Sequence, residues 1–335
     1  MRWALIGASR IASGYMIDAL RVQPESEIVS VLSSDATRGA RYAEDHAIPH
    51  SFTDLDALLD GPPIDAVYIS TTNEKHHAQA LMAIAAGKHV LCEKPLATSL
   101  ADAIEMVSAA DEEGVTFGTN HHLRNAGSHL AIRDLIDEGR IGDVQSVRVF
   151  HAVSLPQQLR GWRINDASAG GGVIPDITVH DADTVRFLLG EDPVDVIAKS
   201  ATSGLGEGVE DSAMSVWSMP SGAMVQSHES FTHPFARTGI EIHGTKGSIH
   251  ADGVMSQEPV GTIHLVDAQG RHEIGFETHN LYHRAVRLFS KAAAGSGRPS
   301  ADGIDGVKSL AVALAVRESA RSGTCQRVNY GEPSK

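Results

Sequence analysis

A chain of 335 residues exceeds one typical hydrophobic core and predicts two domains; with 42% hydrophobic and 21% charged residues it excludes disordered and fibrous classes. A formal net charge of -14, with no run of Lys or Arg able to follow a phosphate backbone, argues against nucleic acid or an anionic membrane as partner. The two cysteines, Cys92 and Cys325, build no disulfide scaffold and fit a reducing compartment.

Met1 to Gly7 runs directly into a strand and a glycine turn, without the longer apolar stretch and cleavage site of a signal peptide. No apolar stretch approaches the length of a membrane span, so the expected location is cytoplasmic. Trp3–Ile6 reads as a strand, Ile11–Leu20 as an amphipathic helix and Glu27–Leu32 as the next strand. Ala66–Ser70 and His89–Cys92 follow as strands, separated by a helix over His76–Ala86, and Val115–Gly118 is a further strand. Strands alternating with helices predict a doubly wound α/β Rossmann domain with a parallel sheet. A helix over Ser128–Glu138 is stopped by Gly139. Beyond it Val147, Val149, His151 and Val153 alternate as in a half-buried strand. Strands are then expected at Val194–Lys199, Ala213–Ser218, Ala223–Ser227, Ile240–His243, Thr262–Val266 and His272–Ile274. Helices close the chain at Tyr282–Ala294 and Gly306–Arg321. Strands in series predict an open, mostly antiparallel sheet in an α+β domain. The expected domains are 1–120 and 121–335.

After the first strand, Gly7-Ala8-Ser9-Arg10-Ile11-Ala12 keeps the first glycine of the dinucleotide fingerprint and replaces the third and sixth positions with Ser9 and Ala12. Ser9 permits a fairly close approach of the backbone and offers a hydroxyl to a phosphate; Ala12 lets the helix pack near the strand. Amides at a helix N-terminus bind phosphate locally whatever the global charge. An ordinary βα turn is the other reading of this loop taken alone. The second strand ends at Leu32 before Ser33-Ser34-Asp35-Ala36-Thr37-Arg38. An acid at this strand end commonly selects NAD, and an Arg without it NADP. Ser33 stands where the acid would be, Asp35 comes two residues late and Arg38 can reach a 2′-phosphate, so NADPH is the expected cofactor.

Glu93-Lys94-Pro95 follows the strand His89–Cys92, at the carboxyl end where ligands bind open α/β sheets. A lysine there can stabilise negative charge on a substrate oxygen; a surface lysine before a helix-starting proline is the alternative.

Glu93-Lys94-Pro95, with Thr71-Thr72-Asn73 and His76, resembles the Gfo/Idh/MocA family of sugar and polyol oxidoreductases. Gly170-Gly171-Gly172-Val173-Ile174-Pro175-Asp176-Ile177-Thr178-Val179-His180-Asp181 resembles its second signature, and so do Asn280-Leu281-Tyr282 and the helix over Asp305–Leu310. The likeness spans essentially the whole chain. Asn120 to Asn125, Gly161-Trp162-Arg163 and His180-Asp181-Ala182-Asp183 are similar to the members that reduce 1,5-anhydro-D-fructose. The resemblance implies NADPH-dependent reduction of that cyclic ketone to 1,5-anhydro-D-mannitol. It implies His180 as proton donor, Lys94 orienting and polarising the carbonyl, Asp176 holding a neighbouring sugar hydroxyl, and a cis Lys94-Pro95 peptide. The cofactor-binding set is Gly7, Ser9, Arg10 and Ile11, then Ser33, Ser34 and Arg38, then Thr71, Thr72, Asn73, His76, Glu93, Lys94 and Asn120, with Trp162, Arg163 and Tyr282.

Independently of that likeness, a helix over Asp176–Leu189 would place Asp176, His180 and Asp183 on one face, with Ile177, Val185 and Leu188 toward a core. An ordinary imidazole titrates near ~6.5 and serves as a proton donor around neutrality. A surface histidine pairing with Asp176 or Asp183 is the alternative. Trp162 can cover a sugar's apolar face and Arg163 bind its oxygens, while a core position suits Trp162 equally. The chain has 18 histidines, including His76-His77 and His121-His122. Neighbouring side chains point apart and no second cluster has ligand spacing, so no metal is expected. His121 and His122 are candidates for a substrate pocket or for a structural role. Gly244 to Ser248 reads as a hairpin turn. The expected partner is a small sugar, and oligomeric state is left open. Two rival functions stand beside the reductase: a redox-neutral glycoside hydrolase that retains its nicotinamide, and a non-catalytic NADP(H) or sugar sensor.

Overall fold

The computed structural model describes residues 1–331, in two units: Met1–His121 with Tyr282–Val307, and His122–Leu281 with the chain from Lys308 onward. In the first unit six strands lie in one parallel sheet: β1 (Arg2–Ile6), β2 (Glu27–Leu32), β3 (His50–Phe52), β4 (Ala66–Ile69), β5 (His89–Cys92) and β6 (Phe117–Thr119). Their order is β3-β2-β1-β4-β5-β6. The order reverses between β1 and β4, so the loops leaving these neighbours converge at the strands' carboxyl ends. β4 is buried along its whole length, as a strand covered on both faces must be.

The helices of this unit are α1 (Ile17–Arg21, preceded by a π turn at Ala12–Met16), α2 (Ala36–Asp45), α3 (Leu55–Leu59), α4 (His76–Ala85) and α5 (Leu100–Glu113). Asp35, Asp54 and Ser99 cap α2, α3 and α5 by accepting from the amides of Arg38, Ala57 and Asp102. The returning helix α9 (Leu281–Ala293) supplies Phe289, whose ring centroid lies 5.4 Å from that of Trp3, and Tyr282, stacked on Tyr15 at 4.9 Å. The β2 and β5 bounds match those expected from sequence. The strand placed at Val115–Gly118 lies at Phe117–Thr119, and Pro95 does not start a helix: α5 begins at Leu100, behind its Ser99 cap.

The second unit holds a nine-stranded sheet in the order β14-β13-β12-β11-β7-β10-β9-β8-β15. Its strands are β7 (Val144–Ala152), β8 (Asp195–Ala201), β9 (Ser212–Ser218), β10 (Met224–Ser230), β11 (Gly239–Gly244), β12 (Gly247–Asp252), β13 (Thr262–Asp267), β14 (Gly270–Ile274) and β15 (Gln326–Arg327). Only the β7–β10 pair is parallel. Thr245 and Lys246 join β11 to β12, so the glycine-flanked segment is the expected hairpin. Val147, Val149 and His151 point into the unit from β7, and Val185 and Leu188 join the same core from α8 (Val179–Leu189). Also in this unit are α6 (Gly127–Asp137), the single turn α7 (Trp162–Asn165) and the later part of α10 (Gly303–Ser322). No helix among the described residues is long and apolar enough to cross a membrane.

Candidate functional site

In the first unit the loop after β1 is built for close approach. Gly7 has φ +115, and a Cβ there would sit 3.1 Å from the carbonyl carbon and oxygen of Ser70 at the end of β4. Ser9 Oγ accepts from the Ala12 amide at 3.1 Å and lies 2.7 Å from Ser70 Oγ. Ser9 therefore caps the first helical turn and joins the two loops, a structural task beyond the phosphate contact expected of it. Ala12 is fully buried, Ile11 half-buried and Arg10 exposed beside them.

At the end of β2, Arg38 Nε donates to Ser33 Oγ and its Nη2 to Ser34 Oγ, both at 3.1 Å. The Asp35 carboxylate accepts from the Arg38 amide at 2.7 Å as the cap of α2. Asp35, the acid that follows this strand end in sequence, thus caps its own helix, and a guanidinium lies beside two serine hydroxyls.

The loops after β4 and β5 are tied by His76. Its ring nitrogens lie 2.9 Å from the Pro95 carbonyl and 3.2 Å from the Thr71 carbonyl. Burial pushes this imidazole down, toward its neutral form. Thr71 and Thr72 donate within the same segment, to Gln79 and Glu74, and Asn73 is buried at its start. The Lys94-Pro95 peptide is cis. Tyr68 Oη and Asn120 Nδ2 donate to one oxygen of Glu93, at 2.5 and 2.6 Å. Burial pushes the Glu93 carboxyl up, against these hydrogen bonds and the Lys94 charge, which pull it down. Asn120 Oδ1 is buried with no protein donor, an acceptor left for a ligand. Cys92 is fully buried below them and its thiol is pushed up by burial.

In the second unit, Arg163 lies over the Trp162 ring, 4.6 Å from its centroid, with its Nε 3.3 Å from Asp176 Oδ2. Trp162 is half-buried and no part of the core, which leaves it a face for a ligand. Gly171 lets this turn lie directly on the following helix: a Cβ at 171 would be 2.5 Å from the Trp162 carbonyl oxygen and 2.7 Å from that of Asp166. The helix carrying His180 starts as a π turn at Ile174–Thr178 and continues as α8. His180 is buried, 7% exposed, where the alternative reading required a surface position. His122 meets its ring edge-on at 4.9 Å, and His151 lies 6.2 Å away between centroids. Asp183 is also buried and is bound by Arg124, whose Nη2 lies 2.7 Å from Oδ1. Asp176 and Asp183, expected on one face with His180, are thus claimed by different arginines. Lys94 belongs to the first unit and His180 to the second; Tyr282 is fully buried in the first.

Tyr68, His151 and Glu229 have no functional mark in the sequence: each stands in a separate segment, and only the fold makes them neighbours of the chosen residues. Arg124 and Asp181 lie inside the quoted motifs, but the sequence does not show their partners Asp183 and His151. The buried positions of β10 also include Ser227 and Glu229, and polar residues at inward positions of an alternating strand were the available signal. His77, Asp102 and Glu105 come together on α4 and α5, with His77 Nε2 2.9 Å from Glu105. This cluster is partly exposed and was not legible from spacing.

A model of an oxidoreductase family with an NAD-binding Rossmann fold matches residues 1–121, and a GFO/IDH/MocA C-terminal domain model matches residues 129–250. A 1,5-anhydro-D-fructose reductase of Ensifer adhaerens is 53% identical over 331 residues, covering 98% of this chain and 99% of that one. The chain belongs to the Gfo/Idh/MocA family. A more distant relative in sequence is a myo-inositol 2-dehydrogenase of Thermotoga maritima, 25% identical, covering 95% of this chain and 96% of that one. Among solved structures, an aldose-aldose oxidoreductase from Caulobacter crescentus complexed with glycerol has a TM-score of 0.89 at 26% identity, covering 98% and 99% of the two chains. The parallel Rossmann sheet and the mostly antiparallel second sheet expected from sequence are the architecture of this Gfo/Idh/MocA protein.

Proposed function

We propose that this protein reduces the ketone of a small cyclic sugar, 1,5-anhydro-D-fructose, to 1,5-anhydro-D-mannitol with NADPH. The observation that carries the reading is the likeness to a reductase of that substrate along nearly the full length of both chains. Its support in the site is the buried His180 beside Asp176, Arg163 and the half-exposed Trp162.

The first unit fits a dinucleotide. Gly7 leaves a cradle a Cβ would fill, and Asn120 Oδ1 is a buried acceptor without a donor. Arg38 beside Ser33 and Ser34, with Asp35 committed to its helix cap, suits a 2′-phosphate better than a free ribose diol. Gly7, Ser9, Arg10 and Ile11 would hold the pyrophosphate; Ser33, Ser34 and Arg38 the 2′-phosphate; and Thr71, Thr72, Asn73, Glu93, Lys94 and Asn120 the nicotinamide half. Trp162, Arg163 and Tyr282 complete this cofactor set, and His76 braces it. When bound, the nicotinamide supplies the hydride. Lys94 orients the carbonyl and stabilises charge on its oxygen, His180 gives that oxygen a proton, and Asp176 holds a neighbouring hydroxyl. Trp162 covers the apolar face of the ring.

The test is a panel of ketoses, polyols and glycosides assayed with NADPH and NADH, with the product identified by NMR. The expected result is NADPH consumption with 1,5-anhydro-D-fructose, abolished by Lys94→Met while NADPH still binds. Glycoside cleavage without net NADPH consumption would establish the redox-neutral hydrolase instead. Binding without turnover of any panel member would establish the sensor.

A further inference from the structure

Behind His180 the second unit encloses a polar chain that the proposed reaction does not use. His151 Nδ1 lies 2.9 Å from Asp181 Oδ1, Ser227 Oγ lies 3.1 Å from Asp181 Oδ2, and the same Ser227 Oγ lies 2.6 Å from Glu229 Oε1. Asp181, Ser227 and Glu229 are fully buried and His151 is 8% exposed.

Counting hydrogens fixes the state of this chain. A hydroxyl carries one hydrogen and an ionised carboxylate carries none. Ser227 therefore cannot donate to two carboxylates, and both contacts are hydrogen bonds only if one carboxyl is protonated and is itself the donor. Asp181 accepts from His151 through its other oxygen, as an anion does. Glu229 Oε2 is buried without a hydrogen-bond partner, a poor setting for a full negative charge. Glu229 is thus the neutral acid, donating to Ser227, which donates to Asp181. Burial and the neighbouring Asp181 charge push the Glu229 carboxyl up, against the Ser227 and Thr178 hydroxyls, which pull it down. The Asp181 carboxylate in turn places a hydrogen on His151 Nδ1, which leaves Nε2 as the exchanging nitrogen of that ring.

We propose that His151, oriented by Asp181, is a second acid–base residue of this site that acts through His180, returning a proton to it after each turnover. In that step His180 gives its N–H proton to the alkoxide oxygen and becomes neutral. With ring centroids 6.2 Å apart the two imidazoles do not hydrogen-bond directly, so the imidazolium of His151 then gives its Nε2 proton to His180 through one intervening water and is itself recharged from solvent. No electrons move. Asp181 and His151 are positioning residues here, and the kinetic consequence rests on the reading of His180 as proton donor.

Around these rings lie His122 from the turn at 122–125 against His180, His129 from α6 near His151, and Asp181 from α8 on His151, with Glu229 from β10 beyond Ser227. Arg124 neutralises Asp183, and Arg163 lies against Asp176. His129 is held neutral, pushed down to about 3 by burial and the neighbouring His151. With Glu229 neutral, Asp181 is the carboxylate that accepts from His151 Nδ1.

The experiment has two arms. In the first, the full-length protein with 13C-labelled histidine is titrated by NMR without substrate, and the His151 and His180 signals are assigned by single substitution. Asp181→Asn is expected to move both titrations to lower pH by about one unit or more. Glu229→Gln, whose amide imitates a protonated carboxyl, is expected to leave both in place and to keep the wild-type unfolding temperature. In the second arm, Asp181→Asn and His151→Gln are expected to lower kcat about tenfold or more, with KM for the sugar changed less than about twofold. The alkaline limb of the Asp181→Asn pH profile should move to lower pH, and added imidazole should partly restore His151→Gln. Unmoved titrations in Asp181→Asn, or Glu229→Gln shifting them as Asp181→Asn should, would overturn the proposal. Should the wild type reduce no sugar, the functional reading fails alone and the titrations still decide this one.

Discussion

Arg38 and Asp183 show how much single side chains decide. The Arg38 guanidinium is held by two serine hydroxyls while Asp35 is spent on a helix cap. Arg38→Ala is accordingly expected to raise KM for NADPH about tenfold or more and to leave that for NADH nearly unchanged, read from initial rates with each coenzyme. Asp183 is buried with Arg124, at 1% and 7% side-chain exposure. Asp183→Ala removes the carboxylate from a buried guanidinium, and should cost about 3–5 kcal/mol in urea unfolding. Replacing Arg124 and Asp183 together by apolar residues should cost less than either alone, which a double-mutant cycle measures. At this scale sequence brought Lys94, His180, Asp176, Trp162 and Arg163 forward because each stands in a local motif. Arg124 stands in a quoted motif and His151 in an alternating strand, but nothing local names their partners, 59 and 30 positions away.

Among the elements, the segment 203–206 depends on one carboxylate. Asp211 accepts from the Ser203 hydroxyl and from the amides of Ser203, Gly204, Leu205 and Gly206. Burial alone would raise its carboxyl, but these donors outweigh it and hold the group down to about 2. Because the folded value lies below the unfolded one, near ~3.9, this stabilisation is complete above the unfolded value and is lost as pH falls through the folded one. Its size is on the order of 2 kcal/mol, and the window runs from about pH 4 down to about pH 2. Asp211→Asn should lose that increment at neutral pH and show a shallower acid decline, compared by urea midpoints across that window. The loop also reaches the site, since the Glu207 amide donates to the Ile164 carbonyl at 2.6 Å. Legibility of the elements followed their burial. β7 and β9 alternate and were found, whereas β3 has three residues, two of them exposed, and offers no apolar run. α2 buries only Gly39 and Ala43, too little for an apolar stripe. By contrast α5 buries Ala103, Met106, Val107 and Ala110 at helical spacing, a signal that was present and unused.

For the whole molecule the consequence lies in how the chain returns. The unit holding residues 1–121 also takes in Tyr282–Val307. Tyr282, Val286 and Phe289 from that return are fully buried. A fragment ending at residue 121 loses all three, and a single buried Phe-to-Ala truncation already costs about 3–5 kcal/mol. A domain's entire margin is about 5–15 kcal/mol. The 1–121 fragment is therefore expected to show no cooperative thermal transition by circular dichroism, and the same fragment carrying 282–307 on a flexible linker to regain one. The fold class was legible at this scale, because alternation of strands with helices followed by strands in series leaves few architectures. The return of the C-terminal segment was not, since nothing in a helical pattern names the sheet it will cover.

With no room for even a methyl group between residue 171 and the carbonyls of Trp162 and Asp166, the aromatic shelf and the start of the His180 helix behave as one casting. On the proposed function, substrate preference is then expected to change by exchanging what stands at 162 and 163, on a backbone that stays where it is. A randomised library at 171 would yield mostly inactive clones, while one at 162 and 163 would yield altered sugar selectivity.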